Sequence, residues 1–220
     1  RLLSAVVALA AVAAAVFLTP RSPAVSASTS GDPLLAERLR AVVGDGRGYQ
    51  SVAAVRVTPG GVTHAAVGDA APGRGPIGPT DAIELGSITK TFDGLLLADA
   101  IGRGEVRDTD TLGDHIPELA GSAIGAVTLA EAVSHRGAIP PLPPSRMLGA
   151  VTVGLRPHNP YVESRAELLA EVRTMALLGE RGGDVQYSNL GATLLGYALA
   201  NAGGHADWDS YVTERLLTPL

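Results

Sequence analysis

The sequence predicts an α+β protein, with a hairpin-bearing front and a mainly helical body. Three observations carry this expectation. Two β-branched runs, "SVAAVRV" and "VTHAAV", flank the turn signal "TPGG". From Ser87 onward, apolar residues recur at helical spacing in successive segments. Gly44, Gly102, Gly104 and Gly137 stand where the periodic runs stop.

Residues 1–27 read as a signal peptide or membrane anchor rather than as part of the fold. Arg1 flanks an uncharged run from Leu2 to Thr19, and "VSA" at 25–27 offers small residues suited to signal-peptidase cleavage. Left uncleaved, the run is near the ~18 residues that begin to span a bilayer. Either outcome puts the body outside the cytoplasm, secreted or anchored to the outer face of the cell membrane by residues 2–19.

Residues 28–110 form an N-terminal α/β part. Ser28 to Pro33 reads as a linker. "DPLLAERLRAVVGDG" then sets Leu34, Leu35, Leu39, Val42 and Val43 on one face between Pro33 and Gly44, a short amphipathic helix. The hairpin follows. Gly68 to Pro79 is a loop rich in glycine and proline, and "AIEL" reads as one short strand. From Ser87 a helix places Ile88, Phe92, Leu95, Leu96 and Ile101 on one side.

Residues 111–205 form a mainly helical part. "TLAEAVSHRG" is a short helix stopped by Gly137, and "IPPLPPSR" an extended loop, since successive prolines do not enter a helix. "ESRAELLAEVRTMALLGE" and "NLGATLLGYALANAGG" are amphipathic helices. Residues 206–220 begin as a helix with Trp208, Tyr211, Val212 and Leu216 facing inward, the start of a return to the α/β part. An isolated hairpin is not stable alone, so the sheet is expected to need partner strands beyond Leu220.

Composition removes several function classes. The net charge is −5, with acids and arginines interspersed, so no basic stripe exists to follow a nucleic-acid backbone. The chain has no cysteine, which excludes disulfides, thiolate zinc sites and thiol nucleophiles. Its five histidines are scattered singly without ligand spacing, so no metal is implied. "GSITKT" is not a phosphate-binding loop, because glycine does not precede the lysine, and no GxSxG nucleophile elbow occurs.

Lys90 is the only lysine, against sixteen arginines. On a helix it shares a side with Ser87, one turn away. A serine hydroxyl is a weak nucleophile until an adjacent base takes its proton. Arginine stays protonated in proteins, whereas a desolvated lysine can give up its proton. The positive end of the helix dipole at Ser87 would help an oxyanion form. A second element is "VQYSNLG", carrying Tyr187, Ser188 and Asn189. A phenol beside an ammonium ionises below its usual ~10, so Tyr187 is a second candidate base, acting through Lys90. Asn189 offers an amide donor and acceptor to a substrate amide. Either motif alone is a weak signal, with a surface lysine and a half-buried core tyrosine as the ordinary explanations. Together they are hard to attribute to chance.

"GSITKTF", "SHRGAIP" and "YSNLGATLLGYAL", in this order, resemble the serine β-lactamase and penicillin-binding-protein family. YSN points to the branch holding class C β-lactamases, D-alanyl-D-alanine carboxypeptidases and related esterases. The resemblance runs from about Asp81 to Leu220. It implies a β-lactamase/DD-peptidase-like fold, with helices on an antiparallel sheet, an all-helical part, and an active site in the cleft between them. It implies Ser87 as the acylated nucleophile, Lys90 as its proton partner, Tyr187 as the base and Asn189 as a contact to the substrate's amide side chain. No cofactor is implied. Partners would be a β-lactam, a peptidoglycan stem peptide or an ester, with a membrane met only through the N-terminal segment.

Two features depart from the family pattern. "SHRG" stands where relatives commonly read SHTSG, and His135 is assigned a structural role. The third motif, a Lys- or His-led triplet ending in glycine, has no match from Leu190 to Leu220, so the chain is expected to be C-terminally truncated. Residues 1–220 alone are accordingly expected to be poorly stable and nearly inactive. A sensing or catalytically dead binding module of the same fold remains the alternative to an enzyme.

Overall fold

A computed structural model describes residues 22–152 and 163–219. The apolar run expected to be a signal peptide or anchor, up to residue 21, lies outside the described residues. Among those described, no helix is long and apolar enough to cross a membrane. The chain divides into two compact units, Arg1–Glu84 and Leu85–Leu220.

Among the described residues, the first unit is a three-stranded antiparallel sheet with one helix. Strand β1 is Thr29–Gly31, helix α1 is Pro33–Val43, and β2 and β3 are Ser51–Thr58 and Gly61–Gly68. The strand order is β1-β3-β2. β2 and β3 form the expected hairpin, with Thr58 opposite Gly61 at the turn and Ser51 opposite Gly68 at the far end. Asp32 caps α1 by accepting from Leu35 N at 2.8 Å, and Pro33 occupies the first turn, where no intrahelical donor is needed. Leu35, Ala36 and Leu39 pack on Ala65, Val67 and Val52. The linker expected at Ser28 to Pro33 is β1 and the helix cap: Gly31 pairs with Ala65. Three residues are too few to display a period of two. "AIEL" is not a strand. The chain turns just before it, where Gly78 N donates to the Asp81 carboxylate at 2.8 Å.

The second unit is helical. A 3₁₀ turn, Gly86–Ile88, leads into α2, Thr89–Arg103. Helix α3 is Leu112–His115, followed by a 3₁₀ turn at Pro117–Leu119. Next come α4, Leu129–Val133; α5, Pro144–Thr152; and α6, Arg165–Val172. Helix α7, Asn189–Ala202, precedes α8, Trp208–Val212, which runs into a π turn at Thr213–Leu217. Reciprocal capping boxes start three of these helices, at Thr111/Asp114, Thr128/Glu131 and Ser164/Glu167. Helix α7 is the centre: eight of its fourteen residues are buried, including Leu190, Leu194, Leu195 and Leu199. Leu96, Leu97 and Ala100 of α2 join the same cluster, as do Leu112, Leu129, Leu168 and Tyr211.

Three helix boundaries differ from the sequence reading. Helix α4 ends before Gly137, and the chain turns through left-handed backbone at His135 (φ 56) and Ala138 (φ 52). Gly137 answers to a different constraint: a Cβ there would lie 2.5 Å from Val127 Cγ1. The loop "IPPLPPSR" is not extended throughout, since α5 begins at Pro144, a residue tolerated in a first helical turn. Helix α6 stops at Val172, and "TMALLGE" continues as turns and irregular chain.

Candidate functional site

Ser87 sits in the 3₁₀ turn ahead of α2, and Lys90 follows in the first turn of the helix. Lys90 Nζ reaches Ser87 Oγ in a long contact of 3.4 Å. The third group comes from a distant loop. Tyr187 Oη lies 2.7 Å from Ser87 Oγ, and Lys90 Nζ stands 4.9 Å from the centre of the Tyr187 ring. A serine hydroxyl thus faces a phenol and an ammonium at once. The site is open, with Ser87 and Tyr187 both exposed.

Ser188 fixes Tyr187 in this position. It is buried and is the N-cap of α7, accepting from Gly191 N at 2.8 Å. Its hydroxyl donates to Pro140 O at 2.7 Å, and its backbone N–H donates to His135 Nδ1 at 3.3 Å. The His135 ring packs on that of Tyr187 with centroids 4.7 Å apart. Burial, and then the charge of Lys90, hold His135 below its usual pKa, which favours a neutral acceptor. The left-handed turn at His135 therefore meets the helix cap and holds the tyrosine between them. Replacing Ser188 with alanine is expected to cost about 1–2 kcal/mol, as for other lost caps. It should also slow any reaction that uses Tyr187. Denaturant unfolding and the rate of Ser87 modification, measured on one preparation, check both effects.

Tyr187 is itself perturbed. The Lys90 ammonium first, and the Ser87 hydroxyl second, hold its phenol below the ordinary value. An anionic phenolate is thereby favoured at the atom best located to take the serine proton.

Asn189, first residue of α7, lies with Lys90 in the wall of a cleft of about 290 Å³. Asp93, Thr193, Tyr197 and Trp208 line it too. Ser87, Lys90 and Tyr187 are in direct contact, while Asn189 borders the cleft beside them. One neighbour, Asp93, was missed in the sequence. His135 was given a structural role there, but its link to Tyr187 was not visible, because a left-handed histidine carries no periodic signal. Asp93 had one: it is an acid one turn beyond Lys90, followed directly by the apolar run of the helix.

Comparisons with known proteins follow this geometry. The family model described as Beta-lactamase matches residues 36–220. "Beta-lactamase" of Escherichia coli (strain K12) is 41% identical over 54 residues, which is 24% of this chain and 14% of that protein. A solved class C beta lactamase from Rhodobacter sphaeroides superposes with a TM-score of 0.62 at 23% identity, over 83% of this chain and 48% of that one. D-alanine Carboxypeptidase AmpC from Burkholderia cenocepacia gives 0.57 at 21% identity, over 76% of this chain and 41% of that one. The chain spans less than half the length of each. At these identities the two structures speak to the fold, which is beta-lactamase-like with helix and sheet combined.

Proposed function

The chain belongs to the beta-lactamase family, and from that premise we propose an exported serine hydrolase that forms an acyl-enzyme at Ser87. The observation that carries this reading is the 2.7 Å approach of Tyr187 Oη to Ser87 Oγ beneath the Lys90 ammonium. Tyr187, as phenolate, takes the Ser87 proton while Oγ attacks the substrate's carbonyl carbon. The scissile C–N or C–O bond breaks, and the proton passes from Tyr187 to the leaving group. Water then cleaves the ester, with Tyr187 again the base. Lys90 keeps the phenolate stable by its charge. Asn189 binds the amide side chain of the substrate from the wall of the cleft.

Substrates of this chemistry are β-lactams, D-Ala-D-Ala peptides and small esters. Export rests on the uncharged run from Leu2 to Thr19. The test is to expose the full-length protein to a fluorescent penicillin, then to a chromogenic cephalosporin, a D-Ala-D-Ala peptide and an aryl ester. Covalent labelling with turnover of one of them is expected. Stable labelling without any turnover would favour a sensing module, and no labelling by any substrate of a folded protein would overturn the nucleophile assignment.

A further inference from the structure

Acidic side chains are almost never fully buried unless paired, yet Asp93 on α2 keeps only 6% of its surface exposed. It follows Lys90 by three residues on α2, so these two share one side of the helix. Oδ1 accepts from Trp208 Nε1 of α8 at 2.7 Å. The indole reaches α2 because Gly196 of α7 leaves room for it: a Cβ there would come within 2.8 Å of the ring. Asp93 and Lys90 line the same cleft.

One neutral donor does not balance a buried carboxylate. Among the described residues that line this cleft the cation is Lys90, the same ammonium that faces Ser87 and Tyr187. We propose that Asp93 is a positioning residue of the Ser87 site: its carboxylate is the counter-charge of the Lys90 ammonium. In that role it governs the pH at which Tyr187, beside that ammonium, yields its proton. The proposal rests on the acyl-transfer reading above.

The surroundings support this electrostatic picture. Burial pushes the Asp93 carboxyl up to about 6, while Trp208 and the charge of Lys90 act in the opposite direction. Asp93 thus carries its charge around neutrality and loses it in mild acid. From α7, Asn189 and Tyr197 border the cleft, and the Arg165 guanidinium stands 5.3 Å from the centre of the Tyr197 ring. From α8 the facing group is the uncharged Trp208. His135 approaches Lys90 from the loop after α4, through Tyr187, and is held neutral.

The sign follows from charge alone. When Tyr187 gives up its proton, the Lys90–Tyr187 pair becomes less positive by one unit. A neighbouring carboxylate opposes that loss, so removing its charge must ease it. Asp93→Asn isolates the effect, because the asparagine oxygen still accepts from Trp208 Nε1 while the charge is gone.

The experiment is the pH dependence of acylation of the full-length protein by a fluorescent penicillin. In Asp93→Asn the ascending limb is expected to move to lower pH by about one unit. An unmoved limb in a folded variant overturns the proposal, because a purely structural Asp93 would change rates without shifting the profile. A second readout needs no substrate. The ¹³C resonance of the Asp93 carboxyl, followed against pH, should have its midpoint raised by Lys90→Gln, and an unchanged midpoint also overturns the proposal. If that midpoint moves but no substrate acylates the wild-type protein, the acyl-transfer reading fails and the charge pair stands.

Discussion

Ser87→Ala is expected to eliminate the covalent adduct with a fluorescent penicillin and to lower turnover of any substrate by about 10⁴-fold or more. No other side chain in the site can take over. The chain has no cysteine, so no thiol stands in reserve. Tyr187 is bonded to Ser87 and stabilised by Lys90 as a base, and its phenolate would be a far better leaving group from an acyl intermediate than an alkoxide. Ser188, the nearest serine in sequence to Tyr187, is buried and committed to Gly191 and Pro140. Because Ser87 is exposed in a short turn, its loss should leave the fold intact. A melting temperature close to wild type, with labelling absent, is the expected pair of results. Residual labelling at wild-type rate would mean that the nucleophile lies elsewhere.

Tyr187→Phe has the next largest expected effect. Removing a well-located general base typically costs 10²–10⁴-fold, about 3–5 kcal/mol of transition-state stabilisation. The phenylalanine ring keeps the packing on His135, so the change removes chiefly the oxygen at 2.7 Å from Ser87. The pH profile should change with it. Tyr187 has a lowered pKa, so its phenolate form is reached below the ordinary phenol range, and acylation should climb as pH rises through that ionisation. As pH falls the phenol reprotonates and the rate declines. In Tyr187→Phe the climb assigned to Tyr187 should disappear. Single-turnover acylation rates across pH 5–10 (a range of about five units around the usual His-to-Tyr values) measure both. An unchanged profile would overturn the assignment of Tyr187 as the base.

The legibility of this chain varied with how local each signal was. The hairpin was readable because strands β2 and β3 are eight residues each and rich in valine, and Pro59 and Gly60 form the turn between them. The central helix α7 was readable from its apolar period, and Ser87, Lys90 and Tyr187 from two short motifs. Strand β1 was not, since its pairing to β3 is a long-range choice and its three residues carry no period. The stop of α4 was placed at Gly137 because glycine is the usual breaker, whereas a histidine takes the left-handed position. Its ring then holds both Ser188 and Tyr187, a tertiary reason that propensity does not contain. Asp93 escaped attention for the opposite cause. Its position one turn past Lys90 was visible, but its burial and its bond to Trp208, 115 residues away, belong to packing.

The claim at the centre of this account is that Ser87 becomes acylated. Peptide mapping by mass spectrometry of the full-length protein after brief exposure to penicillin tests it most directly. One modified peptide is expected, spanning "GSITK", with the added mass on Ser87 and no adduct in Ser87→Ala. An adduct confined to a different residue, or none in a protein shown to be folded, would contradict it.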